Sequence, residues 1–64
     1  MTSKTAYAFG AGYARSMAGQ PGFDTIQKNE NADIPVEDYL SMKREGIEAN
    51  ARLYWRGFNS VIKN

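Results

Sequence analysis

The second half of this chain carries two apolar stripes at helical spacing, and this feature most constrains how it can fold. The first stripe comprises Val36, Leu40, Ile47, Ala51, Tyr54, Phe58 and Val61, and the second comprises Tyr39, Met42, Gly46, Leu53 and Gly57. Steps of three, four or seven residues keep side chains on one helix face. Because a chain of 64 residues has too little surface left to cover both stripes, we expect one to pack internally and the other to meet a partner.

The size and composition allow one small helical domain spanning residues 1–64. Chains of this length bury only about 60% of their unfolded surface and need additional stabilisation. The sequence contains neither cysteine nor histidine, which excludes disulfides and leaves only carboxylates for a zinc site. We therefore predict no metal or cofactor, and expect stability to come from helix packing or from assembly with another chain.

The charge distribution favours no global attraction to nucleic acid, because the net charge is only +1. Residues 21–42 are acidic, whereas residues 43–64 are mildly basic. No apolar run approaches the roughly 18 residues of a membrane span, and the N-terminus lacks the pattern of a secretion signal. These features predict a cytoplasmic protein with no membrane association.

Residues 5–18 predict the first helix. An aromatic row with a spacing of four lies beside a row of small residues, and such small residues let a second helix backbone approach closely. The small row consists of Gly10, Ala14 and Ala18. It predicts either a tight internal helix pair, which we favour, or a docking face for a partner. Gly19 is expected to cap the helix, and Pro21 prevents its continuation.

Residues 19–34 predict a long polar loop, with Phe23 and Ile26 as possible anchors to the core. A second helix is expected over residues 35–62, opening at a proline as first turns often do. Gly46 could bend or split it, but the first stripe keeps its phase across this glycine, which favours a continuous or gently kinked helix. The predicted fold is all-α, a two-helix hairpin. Its expected packing residues are Gly10, Ala14 and Ala18 against Ile47, Tyr54 and Phe58.

Catalysis is not predicted. Without histidine, the usual nucleophile and base arrangements cannot form. The adjacent carboxylates Glu37 and Asp38 are explained by the helix dipole, which favours negative charge in a first turn. The sequence therefore predicts no catalytic residues and a protein that is not an enzyme.

The segment 52–59 is the richest cluster of aromatic and basic side chains. Tryptophan, tyrosine and arginine are enriched in interface hot spots, and arginines beside aromatics can also hold RNA. A third interpretation is a core-edge tryptophan flanked by solvated arginines. The residues expected to contact a partner are Tyr39, Met42, Leu53, Arg52, Trp55 and Arg56.

Two short motifs resemble a known family. Gly12-Tyr13 followed by Ala18-Gly19, and Trp55-Arg56-Gly57-Phe58, are similar to the signatures of ribosome modulation factor and related short bacterial and phage proteins. The resemblance implies two glycine-containing helices that pack together and a protein that binds the small ribosomal subunit. This chain departs from the family in being nearly neutral and in carrying the acidic stretch from Asp24 to Asp38.

Two functional hypotheses follow. The first is a non-enzymatic interaction protein, of the size of phage-encoded inhibitors, that binds a larger protein or nucleoprotein assembly and modulates it. A homodimer formed through the second stripe is a variant of this hypothesis. The alternative is a ribosome or RNA binder, as the resemblance implies.

Overall fold

The chain folds into three helices in a computed structural model that describes residues 5–18 and 29–62. Helix α1 spans Ala6–Met17, α2 spans Val36–Arg44 and α3 spans Ala51–Val61, and no strand occurs within these ranges. The all-α prediction is confirmed. The two-helix hairpin is not matched exactly, because three helices are present: the segment predicted as the second helix is split into α2 and α3. The expected cap at Gly19 and the part of the polar loop at 19–28 lie outside the described residues.

Helix α1 begins with a side-chain cap. Thr5 is extended, and its hydroxyl accepts a hydrogen bond from the Ala8 N–H at 3.3 Å, which satisfies one of the free donors of the first turn. At the other end, the Ala18 N–H donates to the Ala14 carbonyl at 2.9 Å. The helix therefore matches the predicted range of 5–18 once both cap residues are included.

Gly46 terminates α2, and this explains why the predicted second helix is split. Its φ of +74° is a left-handed conformation that suits glycine. The Gly46 N–H donates to the Lys43 carbonyl at 3.2 Å, and the Ile47 N–H donates to the Met42 carbonyl at 2.8 Å. These two bonds form a Schellman motif, which ends a helix by satisfying its last carbonyls. Of the two alternatives left open at this glycine, the split is the one observed.

Helix α3 begins after a six-residue connection, residues 45–50. The Asn50 side chain accepts a hydrogen bond from the Leu53 N–H at 3.2 Å, as an N-cap residue does. Because α2 has its own C-cap and α3 its own N-cap, the two helices are separate units. Their apolar faces do not share one phase.

Helices α1 and α3 form the only helix pair that packs extensively among the described residues. Gly10 lies against the backbone of Tyr54 and Phe58, and Gly57 lies against the backbone of Tyr7. Contacts that advance along α1 thus move backwards along α3, so the pair is antiparallel. At both glycines an added Cβ would overlap a carbonyl of the other helix, so the close approach requires glycine.

The core lies between α1 and α3 and extends beneath α2. The fully buried tyrosine ring of Tyr54 packs at its centre, and partly buried aromatics of α1 close one side. The buried apolar residues are Ala6, Ala11, Ala14, Met42, Tyr54, Trp55, Phe58 and Ile62.

Candidate interaction surface

The buried and exposed residues do not follow the two predicted stripes. Met42 and Gly57, expected on the stripe that needs a partner, are buried. Val36 and Leu40, expected on the internal stripe, are exposed. The physical reason is the break at Gly46, because each helix turns its own face towards the core once the chain is interrupted.

The prediction that Met42 and Trp55 contact a partner is therefore wrong. Met42 is 0% exposed and Trp55 is 5% exposed, so both belong to the core of this molecule. The Trp55 indole N–H donates to the Ala32 carbonyl at 2.8 Å, and its ring meets Tyr54 and Phe58 edge-on at centroid distances of 4.8 and 5.2 Å. Trp55 thus fastens the segment before α2 onto α3.

The Tyr54 hydroxyl fastens α2 to the same core. It donates to a carboxylate oxygen of Asp38 at 2.6 Å, a short bond typical of a charged acceptor. Burial raises the pKa of Tyr54 well above its usual range, and the hydrogen bond to Asp38 adds to the shift. The phenol therefore stays protonated and remains a donor. Asp38, through this hydrogen bond, and Met42, through its burial, both hold α2 against the core.

The outer side of α2 is an exposed apolar surface. Val36 is 69% exposed, Leu40 is 51% exposed and Tyr39 is 40% exposed, and spacings of three and four put them on one side of the helix. We call these three residues the α2 face. The Lys43 ammonium lies 5.6 Å from the centroid of the Tyr39 ring, within cation–π range.

A groove of about 400 Å³ borders the α2 face, so the apolar surface continues off the helix. Its walls include two members of the face, Val36 and Tyr39, together with Ile34. Its remaining lining residues are Asn31, Ala32, Asp33, Ala49 and Ala51. The α2 face and the groove together form a protruding surface beside a recessed one.

The remaining predicted contact residues lie on α3 and are exposed. Arg52 and Leu53 face solvent, with Leu53 39% exposed. Arg56 is also exposed, but its Nε donates to the Glu30 carboxylate at 3.3 Å. An exposed ion pair of this kind contributes only about 0.2–1 kcal/mol, so a stronger anion could displace Glu30.

The predicted packing residues are mostly at the α1–α3 contact. Gly10 and Ala14 are buried on α1, Tyr54 and Phe58 are buried on α3, and Ile47 is partly buried against the core. Ala18 is exposed and must be removed from the set. The buried small row instead begins one turn earlier, at Ala6, because the close backbone approaches to α3 lie at Tyr7 and Gly10, in the first half of α1.

Val36 and Leu40 lie on the surface, although the spacing of the first stripe predicts that they are in the core. The signals that could have placed them are local ones. Gly46 can close a Schellman motif, and Asn50 can cap the following helix three residues before Leu53. Together they indicate two helices, and they remove the reason to extend one stripe across both.

Within the described ranges, no group of three or more acidic side chains is placed to hold a metal ion. None of the helices in that part of the chain has the length and apolarity needed to cross a membrane.

Comparison with protein-family models, with curated proteins and with solved structures finds no match to this chain.

Proposed function

We propose that this chain is a non-enzymatic interaction protein that docks on a larger protein through the α2 face and modulates or inhibits it. The observation that carries the proposal is the composition of α2. It buries one residue, Met42, and exposes three large apolar side chains on a helix of nine residues.

The three exposed apolar side chains of α2 form one group on its surface. Single exposed apolar side chains are normal, but a contiguous group marks an interaction site. Here Val36, Tyr39 and Leu40 are contiguous, and the adjoining groove extends them. Amphipathic helices of this kind bind partners by laying one apolar face into a complementary surface.

The test is affinity capture of the tagged chain from its native cell, followed by mass spectrometry. The double variant Val36→Asp with Leu40→Asp should lose the captured partner while keeping its helical circular dichroism. The control is Tyr7→Asp, which also puts a carboxylate in place of a large exposed side chain, here on α1, and should keep the partner. Equal capture by the wild type and the double variant would refute the α2 face as the docking surface.

The alternative is a ribosome or RNA binder, as the resemblance to ribosome modulation factor implies. Two observations support it. The glycine-containing helices pack together at Gly10 and Gly57, although an added Cβ at Gly12 of the first motif would meet nothing within 4 Å. Arg52 and Arg56 are exposed one turn apart on α3. Binding led by phosphate contacts should fall steeply as salt rises, whereas docking of the apolar α2 face should persist. Loss of ribosomal-subunit binding in the Arg52→Ala, Arg56→Ala variant would favour this alternative.

A further inference from the structure

A second groove, of about 510 Å³, lies between α1 and the first turn of α2. We call it the acidic groove. It is on the side of α2 that carries Asp38, and none of its lining residues belongs to the α2 face. Its lining residues are Ala8, Phe9, Gly12, Tyr13, Ser16, Glu37 and Asp38.

One wall of the acidic groove is aromatic and open. Phe9 and Tyr13 line the groove and are only partly buried, and the inner side of the Tyr13 ring packs against Tyr54 and Phe58. Gly12 lies between them in sequence, and a Cβ at this position would meet nothing within 4 Å. The absent side chain therefore leaves room beside the rings.

The other wall carries two carboxylates, and among the lining residues that the structure describes none carries a positive charge. Glu37 is exposed and Asp38 is half-buried. One oxygen of Asp38 accepts the hydrogen bond from Tyr54, but a carboxylate can accept several. An anion such as a nucleic-acid phosphate would be repelled here.

We propose that the acidic groove receives an arginine side chain from the partner protein. This inference rests on the proposed function, because it assigns a contact to the same partner. A guanidinium is planar, stacks on aromatic rings and matches carboxylates with paired N–H groups. Phe9 or Tyr13 provides the stacking surface, and Glu37 with Asp38 provides the acceptors. A lysine ammonium would satisfy the charge but not the stacking geometry.

The test is an NMR titration of the isotopically labelled full chain with hexa-arginine and, separately, hexa-lysine peptides. Amide shifts should be concentrated at Phe9, Gly12, Tyr13 and Glu37, and hexa-arginine should bind more tightly than hexa-lysine. Equal affinity for the two peptides, or shifts spread evenly over all acidic residues, would overturn the proposal, since either result describes nonspecific charge attraction.

Two variants test the groove itself. Gly12→Leu should fill it and abolish the localised shifts, and Gly12→Ala should weaken binding less. Glu37→Gln should weaken hexa-arginine binding by about two- to fivefold, the effect of removing one partly exposed charge pair. The matched control Glu48→Gln removes an exposed carboxylate that does not line the groove, and should change affinity by less. If Glu48→Gln weakens binding as much as Glu37→Gln, the assignment is wrong.

A second copy of this chain is the competing occupant. Light scattering across a concentration series would detect it, and self-association that is lost in Glu37→Gln would overturn the choice of a partner protein. These outcomes are separate from the capture experiment. Failure of the peptide titration leaves docking through the α2 face intact, and failure of capture by the α2 face leaves the peptide result intact.

Discussion

Gly10 of α1 and Tyr54 of α3 bring two helix backbones into direct contact. A Cβ at Gly10 would overlap the Tyr54 carbonyl and lie 3.1 Å from the Phe58 nitrogen. In the reciprocal contact, a Cβ at Gly57 of α3 would overlap the Tyr7 carbonyl of α1. Each glycine weakens an isolated helix by about 0.8–1 kcal/mol, so the gain must come from the aromatic core that close approach allows. A domain this small has only about 3–5 kcal/mol of core stabilisation available.

Gly10→Ala and Gly57→Ala should each leave the chain largely unfolded. The added methyl group would meet backbone atoms, which cannot move aside as a flexible side chain can. Thermal unfolding followed by circular dichroism checks this. Gly12→Ala is the control, because its Cβ enters open space, and it should raise the free energy of unfolding by about 0.5–1 kcal/mol. Native-like unfolding of Gly10→Ala would contradict the close helix approach.

Gly46→Ala should destabilise the chain by about 1–2 kcal/mol, because alanine is strained at positive φ. The loss arises from backbone conformation alone, since nothing lies within 4 Å of a Cβ at this position. Chemical denaturation measures it. An unchanged or higher midpoint would mean that α2 and α3 can join into one continuous helix without penalty.

Tyr54→Phe should cost about 1–2 kcal/mol at neutral pH, because it removes a hydrogen bond to a carboxylate. The Tyr54→Phe variant should also change how the free energy of unfolding depends on pH in the alkaline range. Above about pH 10, Tyr54 in the unfolded chain loses its proton while the folded chain retains it, since burial raises the pKa of Tyr54. The unfolded state then binds fewer protons, so stability falls with rising pH, by up to about 1.4 kcal/mol per pH unit from this group.

The measurement is urea unfolding from pH 8 to pH 11. Tyr54→Phe should show a shallower alkaline decline than the wild type. Tyr39→Phe removes an exposed tyrosine and should keep the steep decline, because Tyr54 remains. If both variants decline as the wild type does, the buried phenol is not the group responsible.

Met42→Ala and Leu53→Asp should separate core from surface. Met42 is fully buried, and its truncation should cost about 2–5 kcal/mol. Leu53 is exposed in the first turn of α3, where an acidic side chain is favoured by the helix dipole, so Leu53→Asp should retain its helical circular dichroism. Capture of the partner by this variant tests whether Leu53 belongs to the docking surface. Unfolding of Leu53→Asp would place Leu53 in the core.

Local sequence patterns determined the helical class and the ends of α1. They also put Gly10, Tyr54 and Phe58 on apolar helix faces, because spacing along one helix follows from its 3.6-residue repeat. Only the tertiary structure decided which face of each helix packs against the core. Once Gly46 ends α2, the rotation of α2 depends on Met42 entering the core and Asp38 reaching Tyr54. Those contacts link residues that are distant in sequence. The spacing of apolar residues within one segment therefore cannot predict them. For this reason Met42 and Trp55 became core, while Val36 and Leu40 became surface.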